Sequence, residues 1–331
     1  MALKPPVEVP QGAIRLNTDS QKLEFFAQDQ WWEMATDVGA DNTGGTRGCI
    51  GFKFDDSSNA GVIDYVTIET QGNAVDFGDA LDSSYEGCSG ASNTRGVNSM
   101  GYTAPGTVDT IQYVTIASAG NAVDFGNNTA AQRRTVGCSN QTRAMFSGSE
   151  VPSWASGQTD IITIASTGNA TDFGDTTGTG ASGRGAGSAT RALYIGGRYV
   201  PSQADANVVE YVTIQSTGTW KDFGDLVEGG PYGGSGSNAT RAVYTCDNKK
   251  IDFATIATLG NWQTFGELVN DHANKSEGAA DSTRCVFGNG GNTNVLEYIT
   301  FHTTGNAVDF GDATQNTTTG WSLSNAHGGL G

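Results

Sequence analysis

The residues able to do chemistry in this chain are three histidines, five cysteines and a surplus of acids. His272, His302 and His327 fall in no HxH, HExxH or HxxE spacing, and no G-x-S-x-G elbow is present. His302 reads as a strand side chain and His272 as a loop residue. Cys49, Cys88, Cys138, Cys246 and Cys285 make an odd, sparse set without a CxxC pair. They read as buried thiols of a reducing compartment, not as a disulfide framework or zinc site. Gly178-Thr-Gly180-Ala-Ser-Gly183 matches G-x-G-x-x-G in letters only, because no strand–helix junction surrounds it. A retaining glycosidase needs two carboxylates about 5–5.5 Å apart. No acid pair stands out here, so no catalytic residue and no cofactor site are expected.

Two polar patterns recur. Asn-x-x-Asp-x-x-Asp appears at Asn73/Asp76/Asp79 and Asn306/Asp309/Asp312. Calcium needs several oxygens converging on one point, but strand positions i and i+3 face opposite ways. Turn capping is therefore the expected role, with Ca2+ between neighbouring repeats as the alternative. A Thr-Arg pair recurs at Arg47, Arg95, Arg143, Arg191, Arg241 and Arg284, six of eleven arginines. The expected role of these arginines is a structural bridge to an aspartate of the same or next repeat. The alternative is a cationic ring that binds an anion.

These patterns belong to a repeat. It reads YVTIETQGNAVDFGD from Tyr65, YVTIASAGNAVDFGN from Tyr113 and IITIASTGNATDFGD from Ile161. It returns as YVTIQSTGTWKDFGD from Tyr211, FATIATLGNWQTFGE from Phe253 and YITFHTTGNAVDFGD from Tyr298. The Phe of Phe-Gly falls at Phe77, Phe125, Phe173, Phe223, Phe265 and Phe310, spacings of 48, 48, 50, 42 and 45. Periods in the forties suit propeller blades or helical arrays. The abundance of Thr, Val, Ile, Tyr and Gly, without sustained 3.6-residue periodicity, excludes the arrays. Each repeat holds a hairpin of small residues and a hairpin of bulky ones, which predicts a four-stranded blade with its small residues near the axis.

The expected fold is an all-β propeller. Met1–Gln11 would be an extended arm and residues 12–331 one propeller. Residues 12–45 and 313–331 would combine as a closing seventh blade, removing the exposed edge. The alternative is six blades plus an N-terminal hairpin.

The net charge of −17 argues against nucleic acid and anionic lipid as partners. No apolar stretch reaches the length of a membrane helix, and Met1–Pro10 lacks the apolar core of a secretory signal. No membrane insertion and no secretion are expected.

The elements Arg143, Ala144–Gly148, Ile161–Ile164 and Asp172–Gly174 together resemble a kelch-type blade. Departures are the Gly-Gly doublet, present at Gly196-Gly197 and Gly290-Gly291, and Phe where the family has an outer-strand Trp. GAIRLNTDSQKLEFFAQDQWWEM, from Gly12, resembles a segment of tailed-phage fibre and appendage proteins. The tandem blades resemble repeats in virion proteins of phages that infect cyanobacteria. These resemblances imply a non-enzymatic virion protein, assembled in the host cytoplasm. It would display loops for host-surface glycan and gain avidity from copies or homo-oligomers on the virion. The alternative is an adaptor or decoration protein of tail, neck or capsid that docks other virion proteins through Trp31 and Trp32. Off the repeat, Trp154, Arg198, Tyr199 and Tyr232 are the candidate ligand-facing residues, since variable loops on a rigid scaffold carry binding.

Overall fold

The structure is a computed structural model that describes residues 10–17, 22–28, 30–33, 46–54, 61–103, 106–151, 154–178, 180–199, 202, 204–245, 249–270, 278–288, 290–317 and 319–330. The chain divides into two compact units, Met1–Thr43 and Gly44–Gly331.

In the first unit, Ile14–Asn17, Lys22–Ala27 and Gln30–Glu33 form a three-stranded antiparallel sheet. Arg15 pairs with Glu24 at 2.7 Å, and its guanidinium lies 4.1 Å from the Trp31 ring centre. Phe26 meets Trp31 edge to face at 5.3 Å. Trp32 is 43% exposed and donates its indole N–H to the Ala27 carbonyl.

Among the described residues of the second unit there are six four-stranded antiparallel sheets. Sheets two to six each use four strands of one repeat, taken in chain order. In sheet two these are Cys88–Ala91, Arg95–Ser99, Thr110–Thr115 and Val123–Asn127. The first strands of sheets three to six are Val136–Ser139, Arg184–Gly187, Gly234–Ser237 and Gly278–Ala280. Sheet one has a different origin. Thr319–Ser324, from the far end of the sequence, is its first strand and pairs with Arg47–Phe54. Val62–Thr67 and Val75–Asp79 complete it.

This corrects the expected composite sheet. Among the described residues, none of 313–331 pairs with 12–45, and Ile14–Asn17, Lys22–Ala27 and Gln30–Glu33 pair only with one another. The apolar face of Thr319–Ser324 explains the pairing. Trp321 and Leu323 alternate along the strand and are buried with Cys49, Ile63, Phe77 and Val114, which lie in sheets one and two.

The first strands neighbour one another in cyclic order, with Thr319–Ser324 between Gly278–Ala280 and Cys88–Ala91. Six apolar clusters fill the spaces between consecutive sheets. The sixth joins Ile50, Val66 and Ile68 of sheet one to Val286, Leu296 and Phe310 of sheet six. The first strands of sheets two to six contain almost only small residues, which permits their close approach. A Cβ on Gly137 would lie 2.1 Å from the Ser89 carbonyl oxygen, and one on Gly185 would lie 1.8 Å from that of Gly137.

The Phe-Gly pair makes a bulge. In sheet one Ile63 pairs with Gly78 but Asp64 with Asp76, so Phe77 has no register partner. A bulge re-aims the side chain it carries. Phe77 accordingly turns inward, 3% exposed, and meets Tyr65 edge to face at 6.2 Å. Gly78 has φ +147°, and a Cβ there would lie 2.6 Å from the Gly120 carbonyl.

Candidate functional site

Most repeated polar residues hold one sheet to the next. Arg47 donates to the carbonyl of Ile116 in sheet two at 3.0 Å. Arg95 reaches Ile164, Arg143 reaches Ile214, Arg191 reaches Ile256 and Arg241 reaches Phe301. Arg284 completes the cycle on Ile68 and Glu69. The partners are main-chain carbonyls, not the expected aspartates. The geometry gives the reason: the carbonyl just past the end of the next sheet's third strand lies within reach of all six guanidiniums, and five of the six also lie over the aromatic ring of their own sheet. The ring centres are 4.3 Å away for Arg47 on Tyr65 and 4.4 Å for Arg95 on Tyr113. The distances are 4.6 Å for Arg191 on Tyr211, 4.5 Å for Arg241 on Phe253 and 4.8 Å for Arg284 on Tyr298. In sheet three the ring is replaced by Ile161, and Arg143 has its carbonyls alone.

The Gly-Asn-Ala turn stitches the outer rim. Gly120 N–H donates to the Phe77 carbonyl, Ala122 N–H to the Asp79 carbonyl, and Asp79 N–H to Asn121 Oδ1. Asn73, Asn169, Asn261 and Asn306 accept from the neighbouring sheet in the same way. The recurring asparagine thus caps the adjacent sheet's outer strand, not its own turn as expected. Among the described residues no group of three His, Cys, Asp or Glu side chains is placed to hold a metal ion.

A third ring was missed in the sequence. The residue before each repeat's Tyr or equivalent is Asp64, Gln112, Asp160, Glu210, Asp252 or Glu297, and all six are buried. Each accepts from the connection that leaves the preceding sheet. Asp160 takes the Thr129 N–H at 2.9 Å and hydroxyl at 2.7 Å. Asp64 takes the same pair from Thr314, and Glu297 takes the amides of Val269 and Asn270. Burial raises the Asp160 and Asp252 carboxyls above their ordinary range, against the pull of these hydrogen bonds. The signal was available: an acid or amide at one fixed position before the Tyr-Val-Thr-Ile run.

The two ends of the first strands differ. At their last residues, the segment Asn325–Leu330 packs among the strand ends. A Cβ on Gly328 would lie 2.2 Å from the Asn238 carbonyl oxygen, and one on Gly329 would lie 1.9 Å from that of Ser139. His327 Nδ1 accepts the Gly329 amide at 3.1 Å, so Nε2 carries the proton and donates to the Ala91 carbonyl at 2.8 Å. Burial lowers its pKa. The cavity enclosed here, about 60 Å3, is lined by main chain, Ser, Gly and Ala, with Cys138, Leu323 and His327.

At the opposite end, two residues before the first strands, four non-glycine residues have left-handed backbone: Glu86 (φ 60°), Arg134 (φ 57°), Ser182 (φ 63°) and Tyr232 (φ 60°). Such a conformation costs an L-residue about 1–2 kcal/mol. It persists because these residues bond head to tail, Arg134 N–H to Glu86, Ser182 N–H to Arg134 and Tyr232 N–H to Ser182. Their side chains form a collar. Arg134 and Arg133 both pair with Glu86 and Glu150, at 2.7 to 3.4 Å. The Tyr232 ring has the Arg198 guanidinium 4.9 Å away and that of Arg134 at 5.9 Å. Arg198 Nε lies 3.7 Å from a carboxylate oxygen of Asp205.

The collar gathers three of the four sequence candidates in one region. Arg198 and Tyr199 form a short strand paired with Gly180–Ala181, and Tyr232 meets Arg198 across it. Trp154 begins the third strand of sheet three, and its side chain lies outside the described residues. Of the five arginines off the repeat, Arg133, Arg134, Arg184 and Arg198 all lie at this end. Gly178 and Gly180 line a second cavity here, of about 130 Å3.

His302 sits exposed in the turn after its strand, a correction to the strand reading. His272, Cys246 and residues 1–9 of the expected arm lie outside the described residues. Cys49, Cys88, Cys138 and Cys285 are buried free thiols, and burial pushes Cys49 up to about 12. No protein-family model matches the chain, and no curated protein matches it in sequence.

Proposed function

We propose that residues 44–331 form a six-bladed β-propeller, kelch-like in its blade, in which Thr319–Ser324 closes the ring as the innermost strand of the first blade. We further propose that the chain is a non-enzymatic virion protein of a tailed phage that presents its collar end to host-surface glycan. The observation that carries this reading is the segregation of the two kinds of residue. The repeated Arg, Asn and buried acids all make bonds that join sheets. The unrepeated Arg198, Tyr199 and Tyr232, with the paired Arg133, Arg134, Glu86 and Glu150, lie at one end. Aromatic rings beside hydrogen-bonding groups on a rigid scaffold are what sugar recognition needs. Glu86 and Glu150 are each bridged by two arginines, so their carboxylates are already engaged within the collar.

Immunogold electron microscopy of intact virions with antibody to this chain tests the assignment. Label at fibre or baseplate tips supports attachment. Label on capsid, neck or tail shaft supports the adaptor reading, for which the exposed Trp32 is the docking candidate. Absence from virions, by label and by mass spectrometry, overturns both.

A further inference from the structure

The cavity of about 130 Å3 between the third and fourth sheets has the makings of a sugar subsite. Its wall comes from Thr176, Thr177, Gly178 and Gly180 and from Gly196, Tyr199, Ala206 and Val208, with Tyr194 and Glu210 also lining it. Three observations go beyond shape. Tyr199 is 41% exposed at the cavity, a ring with a face to offer. Tyr194 is only 5% exposed, its ring held edge to face on Trp220 at 6.2 Å, and its hydroxyl has no partner of good hydrogen-bond geometry, the Gly183 main chain being its polar neighbour. That hydroxyl sits beside the cavity wall, since a Cβ on Gly180 would be 3.0 Å from it. Glu210, 6% exposed, receives the Thr177 amide and hydroxyl. A carboxylate has about four acceptor sites, so it retains capacity for a further hydroxyl. A buried hydroxyl without a well-formed bond destabilises the fold, and a ligand hydroxyl can supply that bond.

The charge of the lining selects the ligand. Glu210 is its one ionisable carboxylate, and no Lys, Arg or His lines it. Arg198, next to Tyr199 in the chain, stacks on Tyr232 instead.

We propose that this cavity binds one neutral pyranose of the glycan, stacked on Tyr199, with its hydroxyls bonded to the Tyr194 hydroxyl and the Glu210 carboxylate. The proposal rests on the glycan-attachment reading and specifies one subsite within it.

The test is saturation-transfer NMR on the full chain. The probes are the methyl glycosides of glucose, galactose, mannose and N-acetylglucosamine, with glucuronate as the charged control, alongside a glycan array. Saturation transfer from at least one neutral glycoside is expected, and none from glucuronate. Tyr199→Ala should abolish it. Tyr194→Phe should weaken it about tenfold while leaving the melting temperature unchanged or raised, because the buried hydroxyl without a well-formed bond is gone. A merely structural Tyr194 would move stability and not binding. Neutral-sugar binding unchanged in both variants, or array binding without any neutral-monosaccharide signal, overturns the subsite and leaves the attachment reading standing. Preference for glucuronate overturns the charge argument and with it the proposal. No binding in either assay overturns the subsite and counts against glycan attachment as a whole.

Discussion

The two ends of the first strands are built from the same main-chain geometry and carry different kinds of residue. At the Asn325–Leu330 end, the turns repeat: Asn140 and Asn238 cap their own turns, Asp281 does the same, and the arginines that follow run to the next sheet. At the collar end, the equivalent residues are Glu86, Arg134, Ser182 and Tyr232, four chemistries at one backbone conformation. Sameness at one end serves assembly, and diversity at the other leaves side chains for recognition. The difference teaches that repetition marks scaffold in this chain, and departures from it mark where function can lie.

Substitutions can break this comparison, beginning with the scaffold glycines. Gly126→Ala should cost about 3 kcal/mol or more in urea unfolding, since its Cβ would sit 2.4 Å from the Gly168 carbonyl oxygen at φ +145°. Gly168→Ala, at φ +155° but with open space around it, should cost only about 1 kcal/mol. Equal costs would mean the outer rim is not joined as described. Next is the buried acid ring. Asp160→Ala should cost about 2 kcal/mol because it leaves the Thr129 amide and hydroxyl without their acceptor.

The arginine ring offers an internal control. Arg95→Ala removes both a carbonyl bond and a ring contact, about 1–2 kcal/mol, whereas Arg143→Ala removes carbonyl bonds alone, about 1 kcal/mol. Chemical denaturation of the two variants measures the difference. A larger loss for Arg143 would contradict the stacking argument.

The smallest effect expected is a pH effect. The folded pKa of His327 is depressed below its ordinary 6.5, so its contribution is present above that value and lost as pH falls through the folded one. Asp160 and Asp252 behave oppositely. Their raised carboxyls stabilise the fold below the ordinary carboxylate value, and that contribution is lost as pH rises through the raised one. His327→Gln should therefore flatten only the acid-side decline below 6.5 in a melting-temperature profile. An unchanged profile would place the titration elsewhere.

Much of the scaffold was legible in the sequence. Period, four-strand content and the concentration of small residues in one hairpin are read from residue types, because strand propensity and turn chemistry are local. Partner choice across long sequence separations was harder. The N-terminal segment around Arg15 to Trp31 has the alternation of a strand pair, and so does Thr319–Ser324. Only the burial of Trp321 and Leu323 against sheets one and two decides which pairs with Arg47–Phe54. The arginine partners escaped for a similar reason. A guanidinium can choose a carboxylate or a carbonyl, and residue types alone do not show that sheet-to-sheet packing brings a strand-end carbonyl of the next sheet within reach. At the candidate site, Arg198, Tyr199 and Tyr232 stood out because they break the repeat. Glu210 and Tyr194 did not, since one sits at a repeated position and the other within an ordinary strand.

The most direct measurement of the central claim is a glycan array read with the wild-type chain and with variants from each end. Tyr232→Ala and Arg198→Ala alter the collar end. Gln215→Ala alters an exposed side chain bonded to Ala189 at the other end. The account predicts binding by the wild type, its retention in Gln215→Ala, and its loss or clear weakening in the collar variants with their melting temperatures preserved. Binding that survives both collar substitutions and fails in Gln215→Ala would contradict it.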